Sequence, residues 1–139
     1  MKTLILLALL VTVAIAVLIA FRRKGTKSPQ EDKSRTEHAV IISFDYGSSD
    51  LGPLFELEEQ LKEAIDAANA GEFDGNEIAL SGSDGSLFMY GPDADRLFEA
   101  VWPVLDSTVV IRNIKANLRY GPPEEGVRER TITIAKKHK

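Results

Sequence analysis

The stretch Ala39-Val40-Ile41-Ile42-Ser43-Phe44-Asp45-Tyr46 decides how the rest of the chain is read. Val40, Ile42, Phe44 and Tyr46 fall on one side of a strict alternation, with Ala39, Ile41, Ser43 and Asp45 on the other. A period of two, rich in branched and aromatic residues, is the pattern of a strand whose successive side chains point to opposite faces. Residues 39–46 therefore predict a first β-strand, and Gly47-Ser48-Ser49-Asp50-Leu51-Gly52 supplies the loop after it.

Working downstream, Pro53 is placed to open a helix, because the first turn leaves its missing amide hydrogen unneeded. Leu54, Leu57, Leu61, Ile65 and Ala68 follow at spacings of three and four, and Glu56, Glu59, Glu63 and Asp66 fall mainly off that stripe. Gly71 stands where a left-handed terminating residue is wanted. Asn76 to Gly82 and Ser86 to Tyr90 predict two short strands around a Ser83-Asp84-Gly85 turn, since an Asp-Gly pair tolerates positive φ. A second helix is expected from Gly91-Pro92-Asp93, with Asp93 and Asp95 near its positive end. Leu97, Val101, Val104 and Leu105 form its apolar stripe, Phe98 widens that face, Trp102 lies off it, and Pro103 is expected to bend or break it. Val109 to Tyr120 and Val127 to Ala135 predict two last strands, separated by Gly121-Pro122-Pro123-Glu124-Glu125-Gly126.

The element order is β-α-β-β-α-β-β. Strand, helix, strand repeated twice is the split βαβ arrangement of ferredoxin-like domains, with the fifth strand extending one sheet edge as a hairpin. A faint echo supports two equivalent halves: Phe44-Asp45-Tyr46-Gly47 before the first helix matches Phe88-Met89-Tyr90-Gly91 before the second. Leu87 to Glu99, reading Leu-Phe-Met-Tyr-Gly-Pro-Asp-Ala-Asp-Arg-Leu-Phe-Glu, together with the acidic helix upstream, resembles uncharacterised small bacterial proteins with a ferredoxin-like α+β domain. The likeness spans about residues 39–121 and implies a fold without implying an activity.

Upstream of the domain, Thr3 to Phe21 are 19 residues without a charge, and at 1.5 Å per residue they reach roughly 28 Å, close to the thickness of a bilayer core. Arg22, Arg23 and Lys24 follow at once, as in a stop-transfer flank. A cleaved signal peptide has a shorter apolar run ending in a small-x-small site, whereas here Ala14-Ile15-Ala16 lies inside the run. Residues 1–21 are therefore expected to be an uncleaved transmembrane helix. Basic residues stay on the cytoplasmic side, so Arg22, Arg23, Lys24, Lys27, Lys33 and Arg35 against a lone Lys2 predict a single-pass membrane protein with its domain in the cytoplasm. Residues 22–36 have no apolar residue and are read as a basic flexible tether; residues 37–139 form one soluble α+β domain, the size of a single core.

Charge is partitioned along the chain. Residues 1–36 hold 7 Lys/Arg against 2 Asp/Glu, and the other 103 residues hold 10 against 19, so the domain is acidic and nucleic acid is not expected as a partner. Within the domain, Glu37 to Asp106 holds 16 acids against Lys62 and Arg96, while Ser107 to Lys139 holds 8 bases against 3 acids. Such polarity suits a protein partner or self-association.

There is no cysteine, which excludes disulfides, thiolate metal sites and thiol nucleophiles, and no cofactor is expected. The two histidines are His38, at the joint of tether and first strand, and His138, in the tail; neither position suits Ser-His-Asp or Cys-His catalysis. The candidates for a carboxylate or metal site are Asp45 and Asp50, after the first strand, and Asp93 and Asp95, at the second helix start. These two loops are expected to meet at one rim of the sheet. Asp74-Gly75-Asn76-Glu77 and Ser83-Asp84-Gly85-Ser86 lack the ligand spacing of an EF-hand. The chain is expected to be a membrane-tethered binding module in contact with the lipid bilayer and a protein partner. A small carboxylate-based or metal-dependent hydrolase, and an exported periplasmic binding protein, are the alternatives.

Overall fold

The computed structural model describes residues 37–135. The anchor expected over 1–21, with its expected flank Arg22, Arg23 and Lys24, and the tether expected over 22–36 lie outside the described residues, as does His138. Among the described residues no helix is long and apolar enough to cross a membrane.

The domain is α+β, a five-stranded antiparallel sheet with two helices. Its elements are β1 (His38–Asp45), α1 (Gly52–Ala68), β2 (Glu72–Ile78), β3 (Asp84–Gly91), α2 (Ala94–Ser107), β4 (Arg112–Arg119) and β5 (Glu129–Thr133). The strands lie side by side in the order β2-β3-β1-β4-β5. Each helix thus joins two strands with a third between them: β3 separates β1 from β2, and β1 separates β3 from β4. β5 returns along β4 as an edge hairpin, Ala116 opposite Ile132.

One face of the sheet carries the core. Val40, Ile42 and Phe44 of β1, Leu87 and Met89 of β3, and Ile114, Ala116 and Leu118 of β4 are buried there beneath the helices. From α1 come Leu54, Leu57, Leu61 and Ile65, the spacing that puts four side chains on one helical stripe. α2 contributes Leu97, Val101 and Leu105. At about 1.5–3 kcal/mol for each large aliphatic side chain taken from water, this layer is the principal source of stability in a domain without disulfides. Trp102 leans out of it at 37 % exposure, its ring tilted against Phe98 at 5.6 Å.

Several local expectations are corrected. The residue that ends α1 in a left-handed conformation is Asn69, with φ 46°. Gly71 serves a close approach of two backbones instead, since a Cβ there would lie 2.1 Å from the Tyr90 carbonyl oxygen, where β3 crosses under the helix end. β2 starts at Glu72, four residues before the expected strand, because a register shift between Phe73 and Gly75 breaks the alternation that marks a strand in sequence. The hairpin turn falls at residues 79–83, closed by Gly82 N–H donating to the Ala79 carbonyl at 2.7 Å, and Asp84 and Gly85 already belong to β3. α2 runs through Pro103 without interruption. β4 is shorter than expected: Val109 to Ile111 form the approach to the strand, and Ile111 is buried.

Candidate functional site

Both helices lie on one face, so among the described residues the other face is open. The register sorts that open face into rows. Glu72, Tyr90, Ala39, Arg119 and Glu129 form the row nearest the start of β1. Gly75, Phe88, Ile41, Asn117 and Thr131 form the middle row, and Glu77, Ser86, Ser43, Lys115 and Thr133 the next. Ile41, Phe88 and Tyr90 are half-buried and contiguous, while Ser43, Glu77 and Lys115 are exposed around them. The face therefore has an apolar, aromatic centre and a charged margin, acidic along β2 and basic along β4. Asn117 donates from Nδ2 to Glu129 Oε2 at 3.0 Å, and its buried Oδ1 accepts no hydrogen bond among the described residues.

Toward the end of β1 the face dips into a wide, open depression of about 820 Å³, lined by Ser43, Asp45, Glu77, Asp84, Ser86 and Lys115 among others. Asn113 adopts φ 50° at the start of β4, where β1 and β4 lose register between Ser43 and Asp45. That irregularity swings its Nδ2 to 2.6 Å from Asp45 Oδ2. Asp84, directly across from Asp45, accepts from Ser83 Oγ at 2.5 Å.

The four predicted carboxylates do not converge. β1 and β3 are antiparallel, with His38 opposite Gly91 and Asp45 opposite Asp84. The end of β1 therefore meets the beginning of β3, and the expectation that the two loops share a rim is wrong. Seven residues at about 3.4 Å each put the pairs roughly 24 Å apart, far beyond the separation at which two carboxyl groups act on one bond. Among the described residues no cluster of three His, Asp or Glu side chains is arranged to hold a metal ion.

Three of the four instead hold local structure around the helices, and Asp45 accepts from Asn113 as described. Asp50 Oδ1 accepts from Gly52 N–H at 2.9 Å, ahead of α1, and its carbonyl accepts from the Tyr46 hydroxyl. Asp93 is the N-cap of α2, its Oδ1 accepting from the amides of Asp95 at 3.0 Å and Arg96 at 3.1 Å. Asp95 Oδ1 accepts from the Tyr120 hydroxyl at 2.8 Å and lies 3.7 Å from Arg130 Nη1.

Sequence reasoning missed what surrounds that last contact. His38 Nδ1 accepts from Ala94 N–H at 3.1 Å, and its ring meets Tyr120 edge-on at 5.8 Å. Arg128 covers the same tyrosine 4.4 Å from the ring centroid. Desolvation, reinforced by the Asp95 acceptor, raises the Tyr120 hydroxyl above its ordinary value. No local signal in the sequence announces this cluster, because its members come from β1, α2 and the β4–β5 hairpin. The chain matches no protein family, no curated protein sequence and no solved structure.

Proposed function

We propose that this chain is a single-pass membrane-tethered interaction module: a ferredoxin-like α+β domain, carried on the cytoplasmic side by the anchor at 1–21 and the basic tether at 22–36, with the open sheet face as its contact surface. One observation carries the reading. Among the described residues the sheet is covered on one side only, and the uncovered side presents Ile41, Phe88 and Tyr90 as a contiguous patch inside a charged margin. An apolar centre with a polar rim is the anatomy of a protein contact surface. The 19 uncharged residues before Arg22 support the anchor, and the basic flank supports the orientation.

Hydroxyl-radical footprinting of the full chain in native membranes, compared with the same chain dispersed at high dilution in mild detergent, tests this reading. Phe88 and Tyr90 are expected to be shielded in the membrane sample and labelled in the dispersed one. Equal labelling in both samples rejects the contact surface. Release of the protein from membranes by alkaline carbonate rejects the anchor.

A further inference from the structure

We infer that the open face docks on a second copy of this chain, about a two-fold axis running parallel to the strands between β3 and β1. This rests on reading the open face as a contact surface, and it names the occupant.

Charge and register together select the arrangement. β2 brings Glu77 to the open face and β4 brings Lys115, in the same row and on opposite sides of β3 and β1. Neither forms an ion pair with another described residue. A two-fold axis parallel to the strands turns one sheet over onto the other, keeps each row at its own height, and reverses the strand order. With the axis between β3 and β1, β2 of one copy lies over β4 of the second, and β3 lies over β1. Glu77 then faces Lys115 of the second copy, Phe88 faces Ile41, and Ser86 faces Ser43, each twice by symmetry.

The other in-plane axis, perpendicular to the strands, sets every strand over its own counterpart. That stacks the acidic strand on itself and the basic strand on itself, an arrangement that like-charge repulsion disfavours by several kcal/mol. Asp45 and Asp84 are the one unfavourable element of the preferred arrangement, because each comes near the other in the second copy. Asn113 and Ser83 already donate to them, which offsets part of that repulsion.

The size of the face sets the strength of the contact. Four strands about 4.8 Å apart and about eight residues long present roughly 500 Å² per copy, less than the about 800 Å² of a standard interface. The pair is therefore transient in dilute solution and forms where both copies are confined to one bilayer, which raises their effective concentration.

The absence of native cysteine makes the test clean. Full-length Glu77→Cys and Lys115→Cys copies are co-expressed and treated in native membranes with a short bis-maleimide, because face-packed sheets stand about 10 Å apart, beyond disulfide reach. The mixed pair is expected to cross-link well above Glu77→Cys alone, whose two copies of the site lie three strands apart across the axis. Ser43→Cys, close to the axis, then reports on charge-reversed copies. Glu77→Lys and Lys115→Glu each weaken the association about tenfold, since each reversal opposes like charges twice per dimer, and the combined variant restores it.

Equal cross-linking of Glu77→Cys alone and of the mixed pair overturns the axis. No cross-linking, with Phe88 and Tyr90 still shielded in membranes, overturns self-association and leaves the contact surface standing with a different partner. No cross-linking and no shielding overturns both.

Discussion

His38 and Ala94, 56 residues apart in the chain, are joined by a hydrogen bond from the amide of Ala94 to the imidazole Nδ1 at 3.1 Å. The first strand thereby supplies a cap for the second helix, satisfying an amide that the helix itself leaves unpaired. His38→Ala removes both this acceptor and the edge of the ring stack on Tyr120, and is expected to destabilise the domain by about 1–2 kcal/mol. His38→Asn, which keeps an acceptor at that point, is expected to recover part of the loss. Urea unfolding of the full chain in mild detergent, followed by Trp102 fluorescence, measures both.

Glu58 gives a pH signature. Its carboxyl is raised above the ordinary 4.5, chiefly by burial, and the hydrogen bond it accepts from Asn76 Nδ2 at 2.6 Å opposes the rise. A raised acid binds its proton more tightly in the folded state, so its contribution is present at low pH and is lost as pH climbs from the unfolded value through the folded one. Glu58→Gln keeps an acceptor for Asn76 and removes the titration. Unfolding midpoints at about pH 4 and about pH 7 are expected to differ less in Glu58→Gln than in the parent. At pH 7 the variant is expected to be the more stable of the two by no more than about 0.5 kcal/mol.

Gly91 and Gly71 mark a place where two backbones touch. A Cβ on Gly91 would stand 2.3 Å from the Ala70 carbonyl oxygen and 3.2 Å from the Gly71 Cα. The obstacle is main chain, which cannot rotate away. Gly91→Ala is expected to cost about 1–3 kcal/mol by overpacking, seen as a lowered thermal midpoint with unchanged far-ultraviolet circular dichroism at low temperature.

Pro103 sits exposed in the body of α2, where its ring removes a backbone hydrogen bond. Replacing it by Ala restores the donor and loses some restriction of the unfolded chain. Pro103→Ala is expected to stabilise the domain by about 1–2 kcal/mol, the net of these two effects, read from the shift of the urea midpoint at constant slope.

Local pattern was enough wherever one side chain's fate depended on its near neighbours. The stripe Leu54, Leu57, Leu61 and Ile65 named the buried face of α1, and the alternation of Val40, Ile42 and Phe44 named the buried face of β1. Boundaries failed where a long-range contact overrode the local signal. β2 gained Glu72 to Gly75 because β3 offers hydrogen bonds across a bulge, and α2 kept its course through Pro103 because Val101 and Leu105 on either side are buried in the core. The carboxylate site failed for a different reason. Asp45 ends β1 and Asp93 follows β3, and only the antiparallel pairing of the two sends those strand ends to opposite poles.

Sequence by itself determined which residues are apolar at which period, and hence the order β-α-β-β-α-β-β, the faces that must be buried, and the uncharged run of 19 residues ahead of a basic flank. Tertiary structure alone decided which residues share a surface. Hydrogen-bonded register set Glu77, Ser86, Ser43 and Lys115 in one row from three separate parts of the chain, and it brought His38 to Ala94 and Tyr120. The physical reason is range. Periodicity is fixed by the geometry of a few consecutive peptide units, whereas strand partnership is settled by how two helices and five strands bury one common core.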